Sequence, residues 1–139
     1  AYKLEDADIA IVAMGSLVGT IKDVVDDMRK DGKKVGALKV ITYRPFPEAA
    51  IYEALKDIPY IAIVEKALSL GAYGPLFTDI EMAFYGKKRS PKINGYVIGL
   101  GGRDIPKESI RNIFQRTSKE SVRDQFIDLK KENIGKFIY

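Results

Sequence analysis

The 139-residue sequence contains no cysteine, no histidine and no tryptophan. Without thiol or imidazole it cannot form a disulfide, a Ser-His-Asp triad, a thiolate nucleophile, a haem ligand or a zinc site of the usual Cys/His kind. Any catalysis by this chain would rest on carboxylates, Lys, Tyr, Ser or backbone amides. Long apolar runs are missing as well, since none approaches the ~18 residues that span a bilayer. The first residues, Ala1-Tyr2-Lys3-Leu4-Glu5-Asp6-Ala7-Asp8, hold no basic region followed by an apolar stretch. No signal peptide is therefore expected, and the cytoplasm is the expected compartment. The sequence opens on Ala rather than Met, which fits simple processing or excision from a longer polypeptide.

What is present suits one domain. Apolar residues make up 46% and charged residues 30%, ordinary proportions for a globular chain. The net charge of +4 has a local source. Gly86-Lys87-Lys88-Arg89-Ser90-Pro91-Lys92 carries four bases and no acid, and without it 19 bases face 19 acids. Such a loop is either solvated or a contact for phosphate or an acidic partner protein. It has no interleaved aromatic and no recognition-helix pattern, so sequence-specific nucleic-acid binding is not expected.

Apolar patterning alternates between strand and helix. Ile9-Ala10-Ile11-Val12-Ala13-Met14 is a continuous run suited to a strand covered on both faces. After Gly15, Ser16 is expected to cap a helix with Leu17, Val18, Ile21, Val24, Val25 and Met28 in one stripe, stopped by Gly32. Val35 to Ile41 predicts a second strand, broken by Arg44-Pro45-Phe46-Pro47. A short helix from Glu48 should turn Ala50, Ile51, Ala54 and Leu55 inward before Pro59. Tyr60 to Val64 predicts the third strand. Pro75 opens a helix with Leu76, Phe77, Ile80, Ala83 and Phe84 inward, Gly95 to Leu100 the fourth strand, and Pro106 a helix burying Ile110, Ile113 and Phe114. Tyr2-Lys3-Leu4 could add an edge strand. From Ser121, Val122, Phe126 and Leu129 at helical spacing predict a last helix, trailed by Ile134, Phe137 and Ile138. The alternation predicts an α/β fold, a three-layer α/β/α sandwich on a mainly parallel sheet of four or five strands.

In such sheets ligands collect beyond the carboxyl ends of the strands. Four places qualify. Gly15-Ser16 offers amides at a helix start, where anions are favoured, yet Met14-Gly15-Ser16-Leu17-Val18-Gly19-Thr20 is neither G-x-G-x-x-G nor a P-loop, and tight turning with capping also explains it. Arg44 and Phe46 follow the second strand. Glu65 and Lys66 follow the third and could act as acid and base, or form an exposed ion pair or interface contact. Gly99-Leu100-Gly101-Gly102-Arg103-Asp104 lets the backbone take positive φ and approach something closely, as a structured turn or as a binding or interface element.

Leu4-Glu5-Asp6-Ala7-Asp8, Met14-Gly15-Ser16, Gly19-Thr20, Arg44-Pro45-Phe46-Pro47 and, most specifically, Val97-Ile98-Gly99-Leu100-Gly101-Gly102-Arg103-Asp104-Ile105 span nearly the whole chain. Together they resemble the C-terminal, transketolase-like domain II of the alpha subunit of pyruvate:ferredoxin oxidoreductase and its 2-oxoacid relatives. The tail Phe126-Ile127-Asp128-Leu129-Lys130 resembles the end of that subunit. The resemblance implies a complex that decarboxylates a 2-oxoacid on thiamine diphosphate, passes electrons through [4Fe-4S] clusters to ferredoxin and forms an acyl-CoA. It implies that thiamine diphosphate, Mg and the clusters sit on other domains or subunits and that this chain binds none of them. A chain without cysteine or a Gly-Asp-Gly motif agrees with that.

The implied partners are the remaining alpha-subunit domain and the other oxidoreductase subunits, with ferredoxin and coenzyme A at the level of the complex, and neither membrane nor nucleic acid. The chain is then a fragment lacking the domain that faces thiamine diphosphate, with a structural and assembly role and no activity alone. Residues 1–118 are expected to form the transketolase C-terminal-like α/β domain, and 119–139 a helix and tail packed on it or on a partner subunit. No residue is assigned a catalytic or metal role. Gly15, Ser16, Arg44, Phe46, Glu65, Gly99, Gly101, Gly102, Arg103 and Asp104 stand as candidate interface or anion contacts. An independent α/β module that binds an anionic small ligand at the glycine-rich turns is the alternative.

Overall fold

Ile9–Met14 (β1) is apolar throughout because both its faces are covered: Ala10, Ile11, Val12 and Ala13 are wholly buried. The computed structural model describes residues 1–128. β2 (Val35–Val40), β3 (Tyr60–Glu65), β4 (Lys92–Val97) and a two-residue β5 (Gln125–Phe126) complete a sheet in the order β2-β1-β3-β4-β5, with every pairing parallel. Ile9 lies opposite Val35 on one side and Tyr60 on the other, so the carboxyl ends of these strands line up along one edge.

Alternate side chains feed two cores. Ile11, Ala13, Ala62, Val64 and Tyr96 pack against α1 (Leu17–Lys30) and α4 (Lys107–Thr117) on one face. Ala10, Val12, Ile61 and Ile63 pack against α2 (Glu48–Leu55) and α3 (Pro75–Phe84) on the other. This is the expected three-layer sandwich. The predicted stripes of α1, α3 and α4 are all buried, and α3 starts on Pro75, whose missing amide hydrogen costs nothing there.

Local departures have physical reasons. Ser16 is not a side-chain cap: its backbone is already helical at φ −69°, ψ −24°, rather than in the β-region from which a capping oxygen reaches the next amides. Gly15, at φ +70°, makes the turn instead. Ala50 is exposed, because an eight-residue helix buries only Ile51 and Leu55. β4 begins at Lys92 and ends before Gly99, so the last base of the basic loop belongs to a strand. Of the others, Lys87 lies 5.2 Å over the Tyr52 ring and Arg89 pairs with Asp57. Tyr2-Lys3-Leu4 forms no full strand. Tyr2 makes a single antiparallel bridge to Ala37 on the β2 edge, and its hydroxyl donates to Asp26 at 2.8 Å. Arg29 ties the same arm down, donating to the carbonyls of Lys3 and Val35 at 2.7 Å each.

The largest departure is at the end. Residues 121–128 are not helical, and Leu129, Lys130, Ile134, Phe137 and Ile138 lie outside the described residues. The backbone here is satisfied by β4 rather than by itself. Gly95 N–H donates to Val122 O and Ile127 N–H to Val97 O, both at 2.9 Å. Asn94, fully buried, accepts from Val122 N–H and donates to Thr117 O, both at 2.8 Å. Asn94→Ala should therefore destabilise the protein by about 2 kcal/mol, because a buried carbonyl and a half-buried amide lose their partner. Urea unfolding checks this, and a change within error of zero contradicts it.

Candidate functional site

Strand order locates the site. The chain leaves β1 for β2 on one side and later returns to β3 on the other, so the topology reverses between β1 and β3. In open α/β sheets a crevice forms beyond the carboxyl ends of two such strands. A cavity of about 500 Å³ lies there, lined by Met14, Gly15 and Leu17 after β1, Val64, Glu65, Lys66 and Ala67 at the end of β3, Tyr43 after β2, and Pro75 and Leu76 at the start of α3. Its walls are mainly apolar.

Glu65 is the buried polar group of this cavity, 9% exposed. It forms no exposed ion pair. α3 begins Gly74-Pro75-Leu76-Phe77, with no capping side chain of its own and no acidic residue in its first turn. Its free amides need an outside acceptor. Glu65 supplies it, accepting from Leu76 N–H at 3.1 Å and Phe77 N–H at 2.9 Å. Burial pushes its pKa up more strongly than these two amides pull it down. Both oxygens are occupied, so the carboxylate acts as an anchor for the helix. A Cβ at Gly74 would fall on the Glu65 carboxylate, so a larger residue there would displace that carboxylate from the α3 amides.

On the β2 side, Tyr43 donates its hydroxyl to Asp79 at 2.6 Å, and Arg44 stacks 4.2 Å above the Tyr43 ring while pairing with the same carboxylate at 3.0 Å. Burial and Asp79 both raise the Tyr43 pKa, and Asp79 raises that of Arg44. Phe46 meets the Tyr43 ring edge-on at 5.7 Å, and with Pro47 it borders a different groove, between α2 and α3. The structure thus brings Gly15 and Glu65 into one cavity and sets Arg44 beside it. Ser16 is exposed and does not line it.

The glycine turn is a separate feature. Gly99, Gly101 and Gly102 all have positive φ, close to +70°, around a single 3-10 turn at Leu100–Gly102. The cleft beside it holds only about 30 Å³, about the share of one water in the liquid. Arg103 donates to the Asp128 carbonyl, and Asp104 is exposed. A Cβ on Gly99 would lie 2.8 Å from Ile105 Cδ1 and 3.3 Å from Lys66 Cε, so the turn closes against the stem of Lys66.

Tyr43 belongs to one of the strand ends that the sequence marked, whereas Asp79, Asp124 and Arg123 were not evident as site residues. The uncapped Gly74-Pro75-Leu76-Phe77 start was a readable sign that some distant carboxylate had to serve α3. Among the described residues no group of three or more acidic side chains is placed to hold a metal ion, and no helix is long and apolar enough to cross a membrane. With no cysteine in the sequence the residues do not fit an iron–sulfur cluster, and the described residues hold no carboxylate cluster for a metal-bound diphosphate.

Residues 7–110 match the family of pyruvate:ferredoxin oxidoreductase core domain II. The chain is 44% identical over 137 residues to pyruvate synthase subunit PorA of Methanosarcina barkeri, covering 94% of this chain and 34% of that subunit. It therefore spans about a third of the length of that curated relative. Two solved structures share the fold. A 2-oxoglutarate:ferredoxin oxidoreductase from Magnetococcus marinus aligns at TM-score 0.60 and 18% identity over 81% of this chain and 18% of that one. A split-gene transketolase aligns at TM-score 0.65 and 13% identity over 87% and 41%. With a family match over residues 7–110, from β1 through the strand-end cavity to the start of α4, the chain belongs to the pyruvate:ferredoxin oxidoreductase core domain II family.

Proposed function

We propose that this chain serves as the transketolase-like domain II of a 2-oxoacid:ferredoxin oxidoreductase alpha subunit, with a structural and assembly role. The observation that carries the reading is 44% identity to a pyruvate synthase subunit over 94% of the chain. The site's chemistry supports it. Glu65 is committed to the α3 amides and Arg44 to Asp79, so the cavity presents apolar walls rather than a nucleophile and its base.

In the complex, a 2-oxoacid is decarboxylated on thiamine diphosphate, electrons pass through [4Fe-4S] clusters to ferredoxin, and the acyl group is joined to coenzyme A. Other domains and subunits hold those groups. This chain contributes a rigid sheet edge and its cavity to the contact with the rest of the alpha subunit and the other subunits, in the cytoplasm, with residues 119–128 closing the domain. The isolated chain is expected to give no turnover of pyruvate with coenzyme A and a viologen acceptor. Coenzyme A-dependent dye reduction by the purified chain contradicts the reading.

A further inference from the structure

The loop 66–74 joins two walls of the cavity, Lys66-Ala67 and Pro75-Leu76. Its C-terminal end is held by groups from elsewhere in the chain. Glu65 fixes the first amides of α3, Asp124 accepts from Gly74 N–H at 3.2 Å, and Arg123 donates to the Tyr73 hydroxyl at 2.9 Å with its guanidinium 5.2 Å over that ring. Up to these anchors the loop carries apolar side chains into solvent. Leu70 is 98% exposed, Leu68 and Tyr73 are each 43% exposed, and Met14 on the cavity rim is 36% exposed. Large apolar residues exposed around an apolar cavity mark a contact surface.

The charge at the mouth says more about the occupant. Glu65, the only carboxylate lining the cavity among the described residues, is taken up by the α3 amides. Lys66 is exposed and has no ion-pair partner among the described residues. The mouth is therefore apolar with one free cation, which complements an apolar side chain flanked by a carboxylate. The relative that matches this chain over 94% of its length is about three times as long, so the same fold there lies within a larger subunit.

We propose that the loop 66–74 and the strand-end cavity form the docking surface for the rest of the alpha subunit, taking from it an apolar segment that bears a carboxylate opposite Lys66. This rests on the reading of the chain as domain II. Because Tyr73 and Gly74 are anchored beforehand, docking costs less conformational entropy at that end of the loop.

The test uses the absence of native cysteine. Leu70→Cys and, as a remote control, Lys88→Cys are introduced singly. Each is placed both in the isolated chain and in M. barkeri PorA whose matching segment is replaced by this chain, assembled with its partner subunits. Maleimide labelling is followed peptide by peptide. Position 70 should react about tenfold or more slowly in the assembled subunit than in the isolated chain, while position 88 reacts equally in both. Equal labelling at position 70 overturns the proposal. Protection that grows with concentration of the isolated chain overturns it in favour of a second copy of this chain. Lys66→Glu should weaken assembly about tenfold or more, and an unchanged assembly overturns the assigned carboxylate. Failure of the unsubstituted chimera to assemble overturns the functional reading itself, which separates that failure from a failure of this surface.

Discussion

Glu65→Ala is expected to destabilise the protein by about 3 kcal/mol, a fall in Tm of roughly 10 °C for a chain of this size. The amides of Leu76 and Phe77 would be left buried without an acceptor, since α3 supplies no cap of its own. Gly74, shaped to admit the carboxylate, would then border an empty space. The pH dependence has a definite sign. Burial raises the Glu65 pKa above its usual 4.5, so the folded state holds this proton more tightly than the unfolded chain does. The stability linked to this proton is fully present below 4.5 and is lost as pH rises through the raised value. Wild type should therefore gain stability relative to Glu65→Gln as pH falls from neutrality into that window. Urea melts at a series of pH values check both effects. A Glu65→Ala variant as stable as wild type contradicts the anchoring role, and a pH difference of opposite sign contradicts the dominance of burial over the two amides.

Gly95→Ala should be at least as damaging. The new methyl would fall on the carbonyl oxygen of Arg123 and lie 2.8 Å from Phe77 Cδ2. That carbonyl cannot give way alone, because its neighbours are fixed by Gly95 N–H to Val122 O and by Val122 N–H to Asn94. The segment 121–128 must lift off β4, at a cost of about 3 kcal/mol or more. Hydrogen exchange gives the clearest reading: the amides of Val122 and Ile127 should lose protection while those of β1 keep it. Wild-type protection at Ile127 contradicts the account. The effect would also reach the loop 66–74, since Asp124 and Arg123 are two of its anchors.

These two residues mark what the sequence did and did not disclose. β1, α1, α3 and α4 were legible because their apolar residues recur at strand or helix spacing, and the structure buries those positions. The four strand ends were legible as the places to look, and Gly15 and Glu65 do line one cavity. The last segment was not legible. Val122 and Phe126 sit at helical spacing, but the absence of a side chain at Gly95 and the two-sided bonding of Asn94 make β4 the better partner for this backbone. Such pairing depends on residues about 28 positions away and leaves no local period. The role of Glu65 was hidden for the same reason, because its partners are 11 and 12 residues further on and are backbone amides.

Replacement of the matching segment of M. barkeri PorA by this chain tests the central claim most directly. Assembled with its partner subunits, the chimera should oxidise pyruvate with coenzyme A and reduce ferredoxin, while the isolated chain does neither. A chimera that assembles but never turns over, or an isolated chain that turns over unaided, would contradict the assignment of this chain as an assembly domain of such an oxidoreductase.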